Sequence, residues 1–241
     1  MNAAVPVAIV TGASSGIGLG LTQALLAQHY RVVGTSRTIS KSSVLKASNN
    51  LILVDGDISK RATAVKVAEA AISKFGRIDV LVNNAGIFMS KPFTEYTEED
   101  FAMMIATNVA SFFFMTQQVI PQMRKQRQGH VVSMSTTLTD QPVAGVPASL
   151  PVLTKSTIPA MSKELAIEYA ADNIRFNTVS PGTVETPMHA DEDHEKLKQL
   201  APLHRLAEIS EIVEAVLFLN SAKFITGENI HIDGGAHAGK W

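Results

Sequence analysis

The run Thr11-Gly12-Ala13-Ser14-Ser15-Gly16-Ile17-Gly18 follows directly on the apolar stretch Val5–Val10. Glycines let a backbone turn sharply and approach a ligand closely. A helix that starts there aims N–H groups and a positive dipole at an anion, which suits a pyrophosphate. Further along, Phe101, Ile105, Asn108 and Phe112 follow one another at helical spacing, so one amide sits in an apolar stripe and needs partners. Ser135, Thr136 and Thr137 cluster at the end of the apolar run His130–Met134. Hydroxyls in such a place either cap the backbone or polarise a ligand oxygen. The segment from His189 to Lys198 carries His189, Asp191, Glu192, Asp193, His194 and Glu195. Its two histidines are not spaced to stack on one helix face, so it reads as a solvated flap and no metal site is expected.

These groups need elements to position them. Short β-rich runs recur at Val5–Val10, Arg31–Thr35, Leu51–Val54, Val80–Asn83, His130–Met134, Ile174–Val179 and Asn229–Ile232. Most are continuously apolar, as strands covered on both faces are. Between them lie helical patterns: Ile17, Leu21, Ala24 and Leu25 share a face, as do Val65, Ala68, Ile72 and Phe75, closed by Gly76. Leu165, Ala166 and Tyr169 mark a further helix, and Ser40–Asn50 reads as a surface connection. Strand–helix alternation implies an α/β fold with a parallel sheet wrapped by helices. Nothing marks a domain boundary or a repeat, so residues 1–241 are expected to form a single domain, with a substrate flap at about 186–207.

Composition narrows the function. With 241 residues, 46% of them hydrophobic, the chain supports a large core. Basic residues number 21 and acidic ones 22, a net charge of −1, which removes the footprint of a nucleic-acid binder. There is no cysteine, hence no disulfide, thiolate nucleophile, cysteine-held zinc or iron–sulfur cluster. A reducing, cytoplasmic setting is compatible with that. No uninterrupted apolar run is long enough to predict a membrane span. The opening MNAAVPVAIV lacks a basic n-region and reads as a strand, not a signal peptide.

The glycine spacing is Gly-x-x-x-Gly-x-Gly. With Asn83-Asn84-Ala85-Gly86, Ser180-Pro181-Gly182-Thr183-Val184-Glu185-Thr186-Pro187 and Ile230-His231-Ile232-Asp233-Gly234-Gly235, the chain resembles the short-chain dehydrogenase/reductase family over essentially its whole length. The resemblance implies a single doubly wound NAD(P)-binding Rossmann domain: a mostly parallel seven-stranded sheet with helices on both faces. It also implies oxidoreductase activity on a small carbonyl or alcohol substrate. Gly12, Ser14, Ser15, Gly16, Ile17 and Gly18 would hold the pyrophosphate. Asp57 and Ile58 would contact the adenine, and Asn84, Ala85 and Gly86 would line the adenosine side. Pro181, Gly182, Val184 and Thr186 would lie beside the nicotinamide. The end of the second strand lies against the adenosine ribose. It reads Thr35-Ser36-Arg37, with no carboxylate to repel a 2′-phosphate and an arginine able to pair with one, so Ser36 and Arg37 favour NADP(H), with NAD(H) possible. The resemblance further implies a homotetramer or homodimer, joined through long helices and C-terminal segments. Phe112, Phe113 and Phe114 in a row fit a helix buried on more than one side, and Trp241 fits a covered C-terminus.

The family's chemistry uses an Asn, a Ser, a Tyr and a Lys. The resemblance places Asn108 as organiser of a water relay, Thr136 (with Ser135 adjacent) at the Ser position, and Lys155 as the ribose-holding Lys. The Tyr, one turn before Lys155, would stand at Pro151. The chain's three tyrosines, Tyr30, Tyr96 and Tyr169, all lie elsewhere, and the Thr136–Pro151 loop is longer than the family pattern. Pro159 removes the N–H that would bond to the Lys155 carbonyl, which predicts a kink. A positioned proton donor contributes roughly 10²–10⁴ in rate. Lys155, Thr137 or Thr154 through water, or His189 from the flap would have to replace it. Otherwise the chain would be an NADP(H)-binding pseudoenzyme or sensor, or would run lyase or isomerase chemistry.

Overall fold

The computed structural model describes residues 4–240. The strands are β1 (Val7–Thr11), β2 (Arg31–Ser36), β3 (Leu51–Asp55), β4 (Val80–Asn83), β5 (Gly129–Met134), β6 (Ile174–Pro181) and β7 (Asn229–Ile232). The main helices are α1 (Gly16–Ala27), α2 (Arg61–Phe75), α3 (Glu98–Met104), α4 (Ser111–Gln126), α5 (Ser149–Glu168), α6 (His194–Lys198) and α7 (Ile209–Ser221). The seven strands form one sheet in the order β3-β2-β1-β4-β5-β6-β7, every pairing parallel. The chain runs outward from β1 to β3, returns, and runs outward the other way from β4. The strand order therefore reverses between β1 and β4, where a crevice opens beyond the strands' C-terminal ends.

Alternation along each strand splits the core in two. Val7 and Ile9 of β1, Leu81, Val131 and Phe176 pack against Val67 and Ala71 of α2 and Met115, Val119 and Met123 of α4. Ala8, Val10, Val82, Val132 and Val179 face the other way, onto Leu21 and Leu25 of α1 and Ile212, Val216 and Leu219 of α7. Each such Val, Leu, Ile, Phe or Met side chain, taken out of water, contributes about 1.5–3 kcal/mol.

Several details differ from the sequence reading. β1 starts at Val7, not Val5, because Pro6 lacks an N–H; Val5 is exposed. β6 continues through Pro181 by pairing Ser180 and Pro181 with β7. The α2 face turned to the core is Ala64, Val67, Ala68 and Ala71, while Ile72 is exposed. Between α3 and α4 the helix widens into a π turn, Ile105–Ala110. The wider turn shifts the stripe, so Met104 enters the core and Phe101 is exposed. Of the three consecutive phenylalanines only Phe112 is buried; Phe113 is 51% exposed. The helical run Glu98–Gln126 is long and apolar enough to cross a membrane by length and composition alone, although polar residues interrupt its apolar stretches. Its Met104, Phe112, Met115, Val119 and Met123 are core residues packed in the protein. Trp241 lies outside the described residues.

Candidate active site

At the tip of β1 the chain turns through Gly12 and Gly16, with φ of +67° and +52°. A Cβ at Gly12 would meet Asn84 Nδ2 at 2.9 Å, and one at Gly18 would meet the Gly12 carbonyl oxygen at 2.2 Å. Backbone conformation and close packing both require glycine here. Thr11, the first residue of the motif, has a structural part in this turn. Its buried hydroxyl accepts the N–H groups of Asn84 and Ala85, both at 3.0 Å, while Asn84 Nδ2 donates to the Thr11 carbonyl at 2.9 Å. Those bonds fasten the end of β4 to the turn. Ser15 caps α1 without a side-chain hydrogen bond, and the first turn holds no acid. The helix therefore offers its free N–H groups and positive end to an anion.

This turn opens into a cleft of about 1070 Å³ along the sheet's C-terminal edge. Every expected cofactor residue lines it except Gly18, which is packed beneath the turn. At one end stand Ser36, Arg37, Asp57, Ile58 and, unanticipated, Ser59 and Lys60. Asp55, the acid that closes β3, does not line the cleft; Ser40 donates to it through its backbone N–H at 2.8 Å and through its hydroxyl, which holds the Asp55 carboxyl below its usual range. Arg37 is exposed at the rim and forms no ion pair among the described residues. The cradle, the bare helix end and this arginine fit an elongated anionic ligand such as a nicotinamide dinucleotide phosphate.

At the other end stand Ser135, Thr136, Lys155, Pro181, Gly182, Val184 and Thr186. Lys155 Nζ donates to the Met134 carbonyl at 3.0 Å, and burial pushes its ammonium down to about 8. A Cβ on Gly86 would lie 2.8 Å from that Nζ, so glycine makes room for the lysine. α5 runs unbroken through Pro159. The Lys155 carbonyl that Pro159 leaves without an N–H is taken by the Ser135 hydroxyl at 3.0 Å. Ser135 is thereby committed to the backbone. Thr136 accepts from Leu138 N–H at 3.4 Å, and its hydroxyl proton is not donated to any group among the described residues.

Asn108 does not line the cleft. Its Oδ1 accepts Ile87 N–H at 2.9 Å, and its Nδ2 donates to the Ile87 carbonyl and Thr154 Oγ1, both at 3.0 Å. The amide thus straps the π turn to the loop after β4 and to α5. Thr154 is fully buried, donates to backbone carbonyls of its own helix, and stands away from the cleft. No tyrosine lines the cleft among the described residues. Tyr96 donates to the Met89 carbonyl, Tyr30 accepts from Asn220, and Tyr169 packs on Phe176. Pro151 lies buried in the first turn of α5, where a missing N–H leaves no bond unmade.

Two contacts involve the candidate proton sources Thr137 and His189, with partners that residue spacing did not indicate. Thr137, on the cleft wall, donates to Asp233 Oδ2 at 2.5 Å; His237 Nδ1 approaches the same oxygen at 2.8 Å. Burial raises the Asp233 carboxyl, and the bonds from Thr137, His237 and Gly235 outweigh it and hold the group low. The second is in the 189–195 segment, which is largely exposed as a solvated flap should be. His189, the flap candidate, and Glu192 both line the cleft, with their side chains 17% and 51% exposed.

The fold and cleft define a nucleotide-binding α/β protein. Residues 12–237 match the family model described as Enoyl-(Acyl carrier protein) reductase, and the chain belongs to this family of short-chain dehydrogenases/reductases. It is 37% identical to the 3-oxoacyl-[acyl-carrier-protein] reductase of Thermotoga maritima over 243 residues, covering 95% of this chain and 96% of the relative. A solved structure of ElxO with NADP bound superposes with a TM-score of 0.90 at 27% identity, over 98% of this chain and 100% of that one. The 3-ketoacyl-(acyl-carrier-protein) reductase from Brucella melitensis complexed with NADH gives 0.90 at 29%, over 97% and 99%.

Proposed function

We propose that this chain is an NADP(H)-dependent oxidoreductase that reduces a small carbonyl compound, or oxidises its alcohol, using a proton donor other than the family tyrosine. The observation that carries the reading is the intact cleft: a bare α1 N-terminus, the Gly12–Gly18 cradle and Lys155 on one continuous wall that holds Arg37 and, among the described residues, no tyrosine. The relatives named as reductases support oxidoreductase chemistry, and the NADP-bound neighbour supports the cofactor.

In this reading the N–H groups of α1 hold the pyrophosphate, Arg37 the 2′-phosphate and Lys155 the nicotinamide ribose. Bound there, the reduced nicotinamide supplies a hydride. The Thr136 hydroxyl donates to the substrate oxygen. Asn108 acts through Ile87 and Thr154 as a strap that fixes the lysine-bearing helix. The wall beyond Lys155 includes Phe88, Met103, Leu138, Val143 and Met188, which suits an apolar substrate body. Segment 186–207 covers that end as a substrate flap. A homotetramer or homodimer would cover Phe113, Leu153 and Ile167, large apolar residues exposed on α4 and α5.

Fluorescence titration with NADPH and NADH tests the cofactor half. Tighter binding of NADPH is expected; equal or absent binding would count against it.

A further inference from the structure

If the chain is a reductase, a proton must reach the substrate oxygen. The hydroxyls on that wall are largely committed: Ser135 donates to the Lys155 carbonyl and Thr137 to Asp233. Lys155 Nζ gives one of its three protons to the Met134 carbonyl, and the proposal above assigns the rest to the nicotinamide ribose. Thr136 keeps a free hydroxyl proton, but an alcohol gives one up only if another acid restores it. Of the titratable side chains on the cleft wall, Arg37, Asp57 and Lys60 belong to the end near β2 and β3, which leaves Lys155, His189 and Glu192 at the other.

His189 has the geometry of an oriented imidazole. Its Nδ1 lies 2.7 Å from Glu192 Oε1, while Nε2 makes no hydrogen bond among the described residues. The backbone around it is fixed: His189 N–H donates to the Thr186 carbonyl at 3.0 Å, and Glu192 N–H donates to the His189 carbonyl at 3.2 Å. His194 Nε2 approaches the same carbonyl at 3.1 Å. Asp193 caps α6 by accepting from Glu195 N–H at 3.1 Å. Thr186 and Pro187, which lead into this turn, also line the cleft. A carboxylate on one ring nitrogen fixes the tautomer and stabilises the imidazolium, and leaves the other nitrogen to exchange a proton.

We infer that His189 is the proton donor of the cleft, with Glu192 as its positioning residue; the inference rests on the reductase reading above. In the reducing direction the His189 Nε2–H bond breaks and an O–H bond forms on the substrate's carbonyl oxygen. NADPH is the reductant, oxidised as the carbonyl carbon gains hydride. The neutral imidazole left behind takes a proton from solvent. The charged or titratable groups that bear on His189 are Glu192 on its own segment, His194 of α6 at its carbonyl, and Lys155 of α5 on the shared cleft wall.

The first test needs no turnover. NMR of nitrogen-labelled histidine in the full chain reads which ring nitrogen of His189 carries the proton. Wild type is expected to hold it on Nδ1, facing Glu192, Glu192→Ala to release that preference, Glu192→Asp to restore it, and saturating NADPH to shift the ring signals. A tautomer indifferent to Glu192→Ala, or ring signals indifferent to bound NADPH, overturns the inference. The second test follows diacetyl reduction. His189→Gln is expected to lower kcat roughly 10²–10⁴-fold with NADPH affinity unchanged, and added imidazole to restore part of the rate of His189→Ala. A His189→Gln enzyme as fast as wild type overturns the inference too. A wild type that binds no NADPH instead sinks the reductase reading, a separate result from the Glu192-dependent ring tautomer.

Discussion

Arg37 sits at the cleft rim and forms no ion pair among the described residues, and Asp55 is held away by Ser40. Arg37→Ala is expected to weaken NADPH binding about 10–100-fold, the range of one charge-assisted bond, and to leave NADH nearly unchanged. Parallel fluorescence titrations check it; equal losses for both cofactors would remove Arg37 from the 2′-phosphate. At the other end of the sheet His130 is 2% exposed, between Asn220 Oδ1 at 3.3 Å and Asn177 Nδ2 at 3.0 Å. Burial, joined by the Arg175 charge, pushes its pKa down to about 3. The folded state thus keeps His130 neutral while the unfolded chain takes up a proton below about 6.5. Stability is full above that value and falls as pH drops towards about 3. Between pH 7 and 5 the loss is expected to be about 2 kcal/mol. Urea unfolding at both pH values measures it, and His130→Gln should flatten the dependence even if it lowers stability throughout.

Within α5, Pro159 and Ser135 form a coupled pair across two elements. The proline frees the Lys155 carbonyl, and the serine at the end of β5 occupies it. Ser135→Ala is expected to cost about 1–3 kcal/mol, the penalty of a buried unpaired carbonyl. In a Pro159→Ala background the restored helical N–H should reduce that cost to below about 0.5 kcal/mol. A double-mutant cycle by urea unfolding measures the coupling, and additive losses would contradict it. At this scale the sequence was informative where local chemistry decides. The Gly12–Gly18 turn, the Gly76 stop at φ +75° and the span Val80–Asn83 follow from backbone needs and continuous apolar runs. It was uninformative where a tertiary choice decides. Residue spacing alone cannot reveal the extra residue in the π turn, so Phe101 was placed inward and Met104 overlooked. Nor can spacing show that Thr154 faces Asn108 while His189 meets Glu192 on the cleft wall. Those depend on how α5 and segment 186–207 dock on the sheet.

Across the whole molecule, seven parallel strands and their reversal between β1 and β4 bring the connections after β1, β2, β3, β4, β5 and β6 to one cleft. The family motifs made that architecture legible, because each lies at a strand end. The surface of α4 and α5 carries Phe113 at 51%, Leu153 at 46% and Ile167 at 79% exposure. Sedimentation is expected to show a tetramer or dimer, and Phe113→Asp to shift it towards smaller species; a wild-type monomer would contradict the covered face. The central claim, reduction without a cleft tyrosine, meets its most direct test in NADPH consumption over a panel of ketones, diketones, aldehydes and quinones, with wild type beside Pro151→Tyr. The account predicts substrate-dependent consumption by the wild type. Consumption by Pro151→Tyr alone would contradict it, marking the natural chain as a cofactor-binding protein that lacks its acid.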